Sequence, residues 1–176
     1  MPRTIVRSRL TRQHWAAQCC LYAKLLWFCI CWAEDIEMPK GKFAIGPHTL
    51  VVRRSRAGRG LFTADSIEKG RCVVEYTGRL LSVTAMRASK GKYLFKINET
   101  KTIDGWQKSN IARYINHSCR PNCEVEIWRG RIYVMAKRAI KPGEELFYDY
   151  GPEYFDAHIR PKGCVCSKCL SLKGKR

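Results

Sequence analysis

From residue 43 onward, the sequence consists of short runs with strand character that are separated by glycine-containing turns. Residues 124–127 read Glu-Val-Glu-Ile, the period-two alternation of a half-buried strand, and Arg129-Gly130 predicts a two-residue hairpin turn before the run 132–136. This pattern predicts a mostly β fold with short helices. The other predicted elements are strands at 49–53, 61–62, 72–76, 93–97 and 146–148 and helices at 82–90 and 152–159.

Length and charge limit the class of protein. The chain has 176 residues, of which 45% are hydrophobic, and this indicates one globular domain rather than a disordered segment. The formal net charge is +18, and residues 157–176 carry six Lys/Arg and no Asp or Glu. The excess favours acidic partners such as nucleic acid, nucleoprotein, anionic lipid or an acidic protein patch. The other interpretation is that the lysines only keep a small protein soluble.

The amino-terminal residues 1–42 form a separate segment. The run 15–33 is apolar apart from Gln18 and Lys24, and four arginines precede it, as in a signal peptide or membrane anchor. Lys24 opposes a membrane span, because its burial in lipid costs about 2.5–3.5 kcal/mol on insertion scales. Two further interpretations are a buried or interfacial helix and translation that begins at Met38. We therefore expect an N-terminal extension that is either non-native or a flexible or hydrophobic helix, and no membrane partner.

The cysteines are clustered rather than evenly spaced. The chain has ten, and three of them close the sequence as C-x-C-x-x-C at residues 164–169, a spacing typical of metal ligands. A secreted disulfide scaffold is usually shorter and more evenly cross-linked. The cysteine pattern therefore favours a reducing compartment.

Three separated segments carry candidate chemistry. Residues 56–61 include Gly58-Arg59-Gly60, where glycine permits positive φ and close approach to a ligand, although a plain turn has the same pattern. Residues 113–123, RYINHSCRPNC, place amide, imidazole and thiol groups on what we expect to be a tight loop, neither strand nor helix. Residues 143–151, GEELFYDYG, place two tyrosines around an acid at a strand end.

Taken in order, G-x-G, R-Y-I-N-H-S-C-x-P-N and E-E-L-x-Y-D-Y resemble the SET domain of protein-lysine methyltransferases. The resemblance covers roughly residues 49–169. It implies a SET catalytic domain at 43–156 and a cysteine-rich, basic post-SET tail at 157–176. It also implies small curved β-sheets in which the Asn-His-Ser segment threads beneath the segment of the last tyrosine, a knot-like arrangement.

The resemblance also implies roles for single residues. S-adenosylmethionine and a substrate lysine would enter from opposite faces and meet through a narrow channel. Tyr150 matches the catalytic tyrosine, and Tyr93 matches the tyrosine that lines the lysine channel. Tyr148 stands where the family has Phe or Tyr, and its hydroxyl leaves less room for a methylated lysine, so we expect mono- to dimethylation. The implied cofactor-binding residues are Gly58, Arg59, Gly60, Arg113, Tyr114, Asn116, His117 and Tyr150.

A structural zinc site is a further implication of the resemblance. The matching ligands are Cys119, Cys164, Cys166 and Cys169, bound tetrahedrally. The final gap of the C-x-C-x-x-C group is shorter than in the commonest family pattern. Cys123 is either a substitute ligand or a plain buried residue.

The sequence therefore predicts an S-adenosylmethionine-dependent protein-lysine N-methyltransferase. A histone lysine is the leading substrate candidate, and another basic protein is the alternative target. The alternative function is a non-catalytic chromatin or nucleic-acid-binding module that keeps the SET shell. A basic surface would contact nucleosomes or DNA. We expect an intracellular protein, in the nucleus or on the chromosome of a eukaryote, or in the cytoplasm of a bacterium or secreted by it as an effector.

Overall fold

Ten short strands form four small sheets in residues 41–89 and 91–173, the part of the chain that the computed structural model describes. The predicted mostly β class with short helices is confirmed. The strands are β1 (Leu50–Ser55), β2 (Gly58–Thr63), β3 (Cys72–Tyr76), β4 (Arg79–Leu81), β5 (Leu94–Lys96), β6 (Thr102–Asp104), β7 (Asn116–His117), β8 (Cys123–Trp128), β9 (Arg131–Ala136) and β10 (Phe147–Tyr148).

The hairpin predicted at Arg129-Gly130 is confirmed. Both residues have positive φ, +49° and +73°, as a type I′ turn requires. The turn joins β8 to β9, and the other edge of β9 pairs with β3. Because β9 is the central strand of the three, Ile132 and Val134 are fully buried in the main hydrophobic core.

A second three-stranded sheet has the order β4-β6-β5, so β5 lies at an edge. The strand predicted at 93–97 is confirmed in its middle residues, whereas β4 and β6 were not predicted. Each has only three residues, and a run of three has too little alternation to indicate a strand. Pairing on both sides makes β6 a strand, and it buries Thr102 and Ile103.

Strands β7 and β10 come from segments far apart in sequence and run parallel. Asn116 pairs with Phe147, and His117 pairs with Tyr148. The expectation that Asn116 and His117 lie on a loop without strand structure was wrong, because their partner is a remote segment that no local pattern reveals. The pairing is compatible with the knot-like threading of the resemblance, which stays a prediction.

The helices are more irregular than predicted. Helix α1 (Val83–Ala88) begins after Ser82, whose hydroxyl accepts a hydrogen bond from the Ala85 amide as an N-cap. The helix predicted at 152–159 is a mixture of α2 (Pro152–Tyr154), a π-helical turn (Phe155–Ile159) and a 3₁₀ turn (Arg160–Lys162). The remaining elements are two further 3₁₀ turns (Gly41–Phe43 and Ile111–Tyr114) and an unpredicted helix, α3 (Ser167–Lys173).

The predicted extension lies almost wholly outside the described residues. This includes the apolar run 15–33, to which the signal-peptide, anchor and buried-helix interpretations apply. Within the described residues, the structure has no helix of the length and apolar character that a membrane span requires. The domain boundaries after residues 42 and 156 stay predictions.

Candidate active site

Two neighbouring cavities meet at three side chains. The larger has a volume of about 710 Å³ and lies between the edge strand β5 and the helical segment that begins at Pro152. The smaller has a volume of about 380 Å³ and lies beside the β1–β2 hairpin. Tyr93, Arg113 and Tyr150 line both cavities, so these side chains form the boundary between them.

Tyrosine and phenylalanine rings line the larger cavity. The ring centroids of Phe95 and Tyr148 are 6.1 Å apart, those of Tyr148 and Tyr150 are 4.9 Å apart, and those of Tyr150 and Tyr154 are 5.1 Å apart. Burial raises the pKa of the Tyr148 and Tyr150 phenols above its ordinary value. Both hydroxyls therefore stay protonated, and the cavity presents neutral phenols rather than phenolates.

Tyr150 is held at both ends. Its phenol donates a hydrogen bond to the Ile115 carbonyl oxygen at 2.7 Å, and its main-chain amide donates to His117 Nδ1 at 3.2 Å. Both partners lie in the segment that contains β7, the strand that pairs with β10. The parallel pairing thereby fixes the orientation of the Tyr150 ring between the two cavities.

Arg113 is enclosed by aromatic rings at the same boundary. Its guanidinium carbon lies 4.1 Å from the centroid of the Tyr93 ring and 5.1 Å from that of Trp106, and its Nη1 donates to the Trp106 carbonyl oxygen. Its buried Nε has no hydrogen-bond partner among the described residues. This packing holds a positive charge, through cation–π contacts, at the junction of the cavities.

The two glycines of the G-x-G segment are required for different structural reasons. Gly58 has φ of +109°, a conformation that favours glycine, and a Cβ added there would meet no atom within 4 Å. A Cβ added at Gly60 would instead collide with the carboxylate of Glu145. The open face of Gly60 is therefore filled by a side chain of the protein itself, while Arg59 lines the smaller cavity.

Asn116 and His117 are neighbours whose side chains point to different surroundings. Asn116 lines the smaller cavity, and its Nδ2 donates to Glu145 Oε1 at 2.8 Å. The His117 side chain is only 5% exposed and lies outside the lining of both cavities. Its Nε2 is 3.4 Å from the sulfur of Cys119. Only the main chain of His117 remains available to a ligand at this point.

The protonation of His117 follows from its contacts. Burial lowers the pKa of the imidazole, and the nearby Asp149 carboxylate opposes this effect only in part. Because Nδ1 accepts from the Tyr150 amide, the neutral ring carries its proton on Nε2. That N–H points at the Cys119 sulfur, 3.4 Å away.

Four cysteine sulfurs converge near the end of the described chain. The sulfurs of Cys119, Cys164, Cys166 and Cys169 all lie within 4.8 Å of one another. The Cys119–Cys169 separation is 3.6 Å and the Cys119–Cys164 separation is 3.9 Å. Tetrahedral zinc with bonds of about 2.3 Å requires sulfurs about 3.8 Å apart. The donor set therefore fits zinc, and it needs no contribution from Cys123, which is buried in β8.

The thiols of the cluster are not equivalent. Burial raises the pKa of the Cys119 and Cys164 thiols. Burial also raises that of Cys166, but hydrogen bonds from the amides of Cys119 and Cys169 outweigh it and bring the pKa well below the ordinary value. A thiolate at Cys166 is the ionised sulfur that a metal ligand requires.

The SET-domain family model matches residues 58–151, which is more than half of the chain. The chain belongs to the SET-domain family. The match spans the G-x-G segment, the Asn-His-Ser segment and Tyr150, and these segments line or adjoin the two cavities.

Relatives of this SET domain are much longer proteins. It is 37% identical over 132 residues to histone-lysine N-methyltransferase trr of Drosophila melanogaster, covering 68% of this chain and 5% of that protein. It is 32% identical over 155 residues to histone-lysine N-methyltransferase ASHH1 of Arabidopsis thaliana, covering 79% of this chain and 30% of that protein. A solved structure of ctPRC2 in an autoinhibited conformation bound to S-adenosylmethionine matches 60% of this chain and 15% of its own, with a TM-score of 0.55 and 35% identity.

The SET domain brings most of the predicted site residues together. Tyr93, Tyr148 and Tyr150 line the larger cavity, and Arg59, Arg113, Tyr114, Asn116 and Tyr150 line the smaller one, whereas the side chain of His117 lies at the cysteine cluster. Glu145 stands within one of the sequence motifs but had no predicted role. The rings of Tyr76, Phe95 and Tyr154 were not predicted at the site either, because aromatic residues in a strand or helix look the same whether they line a core or a cavity.

Proposed function

We propose that this SET domain transfers a methyl group from S-adenosylmethionine to the side-chain amine of a protein lysine. The observation that carries the proposal is the meeting of two cavities at Tyr93, Arg113 and Tyr150. A methyl transfer needs a donor and an acceptor that are held in separate places and reach each other at one point. The names of the relatives support the same reaction, as does the S-adenosylmethionine bound to ctPRC2.

We assign the cofactor to the smaller cavity. Its lining offers two guanidinium groups, Arg59 and Arg113, for a carboxylate and the Asn116 amide for an ammonium group, as an amino-acid end requires. When bound, S-adenosylmethionine supplies a methyl group on a positively charged sulfur. The proposed contact residues are Gly58, Arg59, Gly60, Arg113, Tyr114, Asn116, His117 and Tyr150, with Gly60 and His117 acting through their main chains.

We assign the substrate lysine to the larger cavity. A free lysine amine has a pKa near 10.4 and must lose its proton before it attacks a methyl carbon. Burial among the rings of Phe95, Tyr148 and Tyr150 disfavours the charged amine, as does the guanidinium of Arg113. Because the phenols are neutral, they offer hydrogen bonds without drawing the proton back onto the amine. Alignment rather than a His–Asp relay then supplies most of the rate enhancement.

The product is proposed to be mainly monomethyl-lysine, with some dimethyl-lysine. Tyr148 is 8% exposed and packs between Phe95 and Tyr150 at the lining of the larger cavity. Its phenol can hold the amine or a water beside it, and that space is lost to further methyl groups. Tight packing on both sides leaves the ring little room to move away.

Zinc is proposed at the four-cysteine cluster, where Cys164, Cys166 and Cys169 would join the tail to Cys119 next to the site. A metal at that point stabilises the tail against the body of the domain. The proposed substrate is a histone lysine or a lysine of another basic protein, and the basic surface would add contact with nucleosomal DNA. The proposed location follows from that substrate: nucleus or chromosome in a eukaryote, cytoplasm or secretion in a bacterium.

The deciding experiment is transfer of a radiolabelled methyl group to histones, nucleosomes and whole-cell extract, together with calorimetric binding of S-adenosylmethionine. We expect labelling of a protein band that is lost with Tyr150→Phe. A folded protein that binds no S-adenosylmethionine and labels nothing would instead support the non-catalytic module.

A further inference from the structure

The carboxylate of Glu145 links Asn116, in the wall of the smaller cavity, to Ser55. Its Oε2 accepts a hydrogen bond from the Ser55 hydroxyl at 2.9 Å, and its Oε1 accepts from Asn116 Nδ2 at 2.8 Å. Ser55 closes β1, and Asn116 begins β7. Glu145 therefore lies behind the cavity wall and contacts a residue that lines it, without lining it itself.

These contacts fix which end of the Asn116 amide faces the cavity. Asn116 Nδ2 also donates to the Arg59 carbonyl oxygen at 2.9 Å. A carboxylate and a carbonyl oxygen only accept hydrogen bonds, so the NH₂ end must face Glu145 and Arg59. Asn116 Oδ1 is directed the other way and receives no hydrogen bond from the described residues. The cavity is thereby offered an acceptor, which suits an ammonium group.

Neighbouring residues hold Glu145 in this position. The Asn122 side chain donates to the Glu145 carbonyl oxygen at 2.8 Å, and Phe62 forms an isolated β-bridge with Glu145. Gly60 leaves free the space that the carboxylate occupies, because any Cβ there would overlap it. Since Gly60 does not have positive φ, the need for glycine at this position comes from its neighbours and not from the backbone. The nearest neighbour is the Glu145 carboxylate, and the Ser55 Cβ follows at 2.9 Å.

We propose that Glu145 is a positioning residue that orients the Asn116 amide, so that Oδ1 accepts the ammonium group of the cofactor's amino-acid end. The inference rests on the proposed function, since it assumes that the smaller cavity binds S-adenosylmethionine. It also gives Gly60 a role as the residue that admits Glu145.

The test compares two ligands that differ only at the amino-acid end. S-adenosylhomocysteine carries it, whereas 5′-methylthioadenosine has the adenosine and sulfur without it. For Glu145→Ala we expect about tenfold weaker binding of S-adenosylhomocysteine and unchanged binding of methylthioadenosine, measured by calorimetry. Glu145→Gln should bind both ligands like the wild type, because a glutamine can accept from Asn116 and donate to the Ser55 hydroxyl.

A double-substitution cycle with Gly60 makes the test independent of one variant. Gly60→Ala should displace the carboxylate and reproduce the tenfold loss for S-adenosylhomocysteine. On the Glu145→Ala background the same change should cost less than it does in the wild type, because the carboxylate is gone and only the close contact with the Ser55 Cβ, at 2.9 Å, is left. Circular dichroism and thermal unfolding show whether each variant is folded. If Glu145→Ala does not fold, the binding measurements on Gly60→Ala still test the inference.

Three outcomes would overturn the inference while leaving the proposed function intact. They are equal losses for the two ligands, a Glu145→Gln variant as weak as Glu145→Ala, and additive losses in the cycle. Failure of the wild type to bind either ligand would instead refute the proposed function itself.

Discussion

The phenol oxygen of Tyr150 lies 2.7 Å from the carbonyl oxygen of Ile115, to which it donates a hydrogen bond. Ile115 is 1% exposed and immediately precedes Asn116, so one main-chain segment anchors the Tyr150 ring and supplies the Asn116 amide. The position of the ring is thus coupled to the wall of the smaller cavity. A change at Tyr150 should therefore affect both catalysis and stability.

Removal of the Tyr150 hydroxyl should abolish most of the turnover. We expect Tyr150→Phe to lower kcat about 100-fold, the size of effect seen when one oriented hydrogen-bonding group is removed from a reacting centre. Because the phenol proton is donated to Ile115, the phenol oxygen presents only its lone pairs to the reacting groups. Unfolding free energy should fall by about 1 kcal/mol, because the Ile115 carbonyl loses its partner. Single-turnover methyl transfer and denaturant unfolding measure the two effects. An unchanged kcat would remove Tyr150 from the mechanism.

Replacement of Tyr148 should change the product rather than the rate of the first transfer. We expect Tyr148→Phe to shift the product towards di- and trimethyl-lysine, because the lost hydroxyl frees space next to the amine. Mass spectrometry of a methylated substrate at completion measures the distribution. Tyr114→Phe is the matched control, since Tyr114 lines the smaller cavity only. Predominantly trimethylated product from the wild type would contradict the proposed role of Tyr148.

Among the cysteines in residues 41–89 and 91–173, those of the four-cysteine cluster should determine the zinc content. We expect about one zinc per chain in the purified wild type and loss of most of it in Cys166→Ser, by elemental analysis. Cys123→Ser is the control, because Cys123 is fully buried in β8 and outside the cluster. That variant should keep its zinc even if its unfolding temperature falls. Loss of zinc from both variants alike would mean that the cluster is not the binding site.

The pH dependence should show no tyrosine ionisation below pH 10. Burial raises the pKa of the Tyr148 and Tyr150 phenols, so both stay neutral while the substrate amine loses its proton. We therefore expect kcat/KM to rise about tenfold per pH unit between pH 7 and 9, as a lysine of pKa near 10.4 dictates. A descending limb in this range would show that a phenol or another essential group ionises early.

The same shifts predict how stability changes with pH. A phenol whose pKa is higher in the folded state than in the unfolded state binds its proton more tightly when folded. Its contribution is complete below the unfolded value near 10 and is lost as pH rises above it. The unfolding temperature should therefore be insensitive to these phenols up to about pH 9.5 and fall beyond pH 10. Tyr148→Phe should reduce that alkaline fall.

Local patterns predicted the elements whose own residues carry the signal. The alternation at 124–127 and the Arg129-Gly130 turn are properties of consecutive residues, and β8, β9 and their hairpin match the structure. The strand character of Asn116 and His117 depends on Phe147 and Tyr148, which lie far along the chain. No local pattern contains that partner, so the pairing could not be predicted.

For the candidate site, too, the sequence motifs identified residues but not the contacts that those residues make in the fold. Motifs identified Asn116 and Tyr150, and the structure places both at the smaller cavity. They did not indicate that the side chain of His117 lies at the cysteine cluster, so that only its main chain is available to a ligand. They also did not indicate that Glu145, and not a ligand, fills the space beside Gly60. Glu145 was overlooked for a related reason. Its importance comes from what it touches, and an acidic residue after a turn is otherwise common.

The two ring nitrogens of His117 contact different regions of the domain. Nδ1 accepts a hydrogen bond from the main-chain amide of Tyr150, and Nε2 contacts the Cys119 sulfur of the four-cysteine cluster. One rigid ring therefore lies between that sulfur and the main-chain amide of Tyr150. If the proposed zinc fixes the position of the sulfur, a metal-depleted sample would be a mixture of active chains that hold zinc and inactive chains that do not. It would not consist of chains that all have the same reduced activity. The specific activity would then be proportional to the fraction of chains that hold zinc.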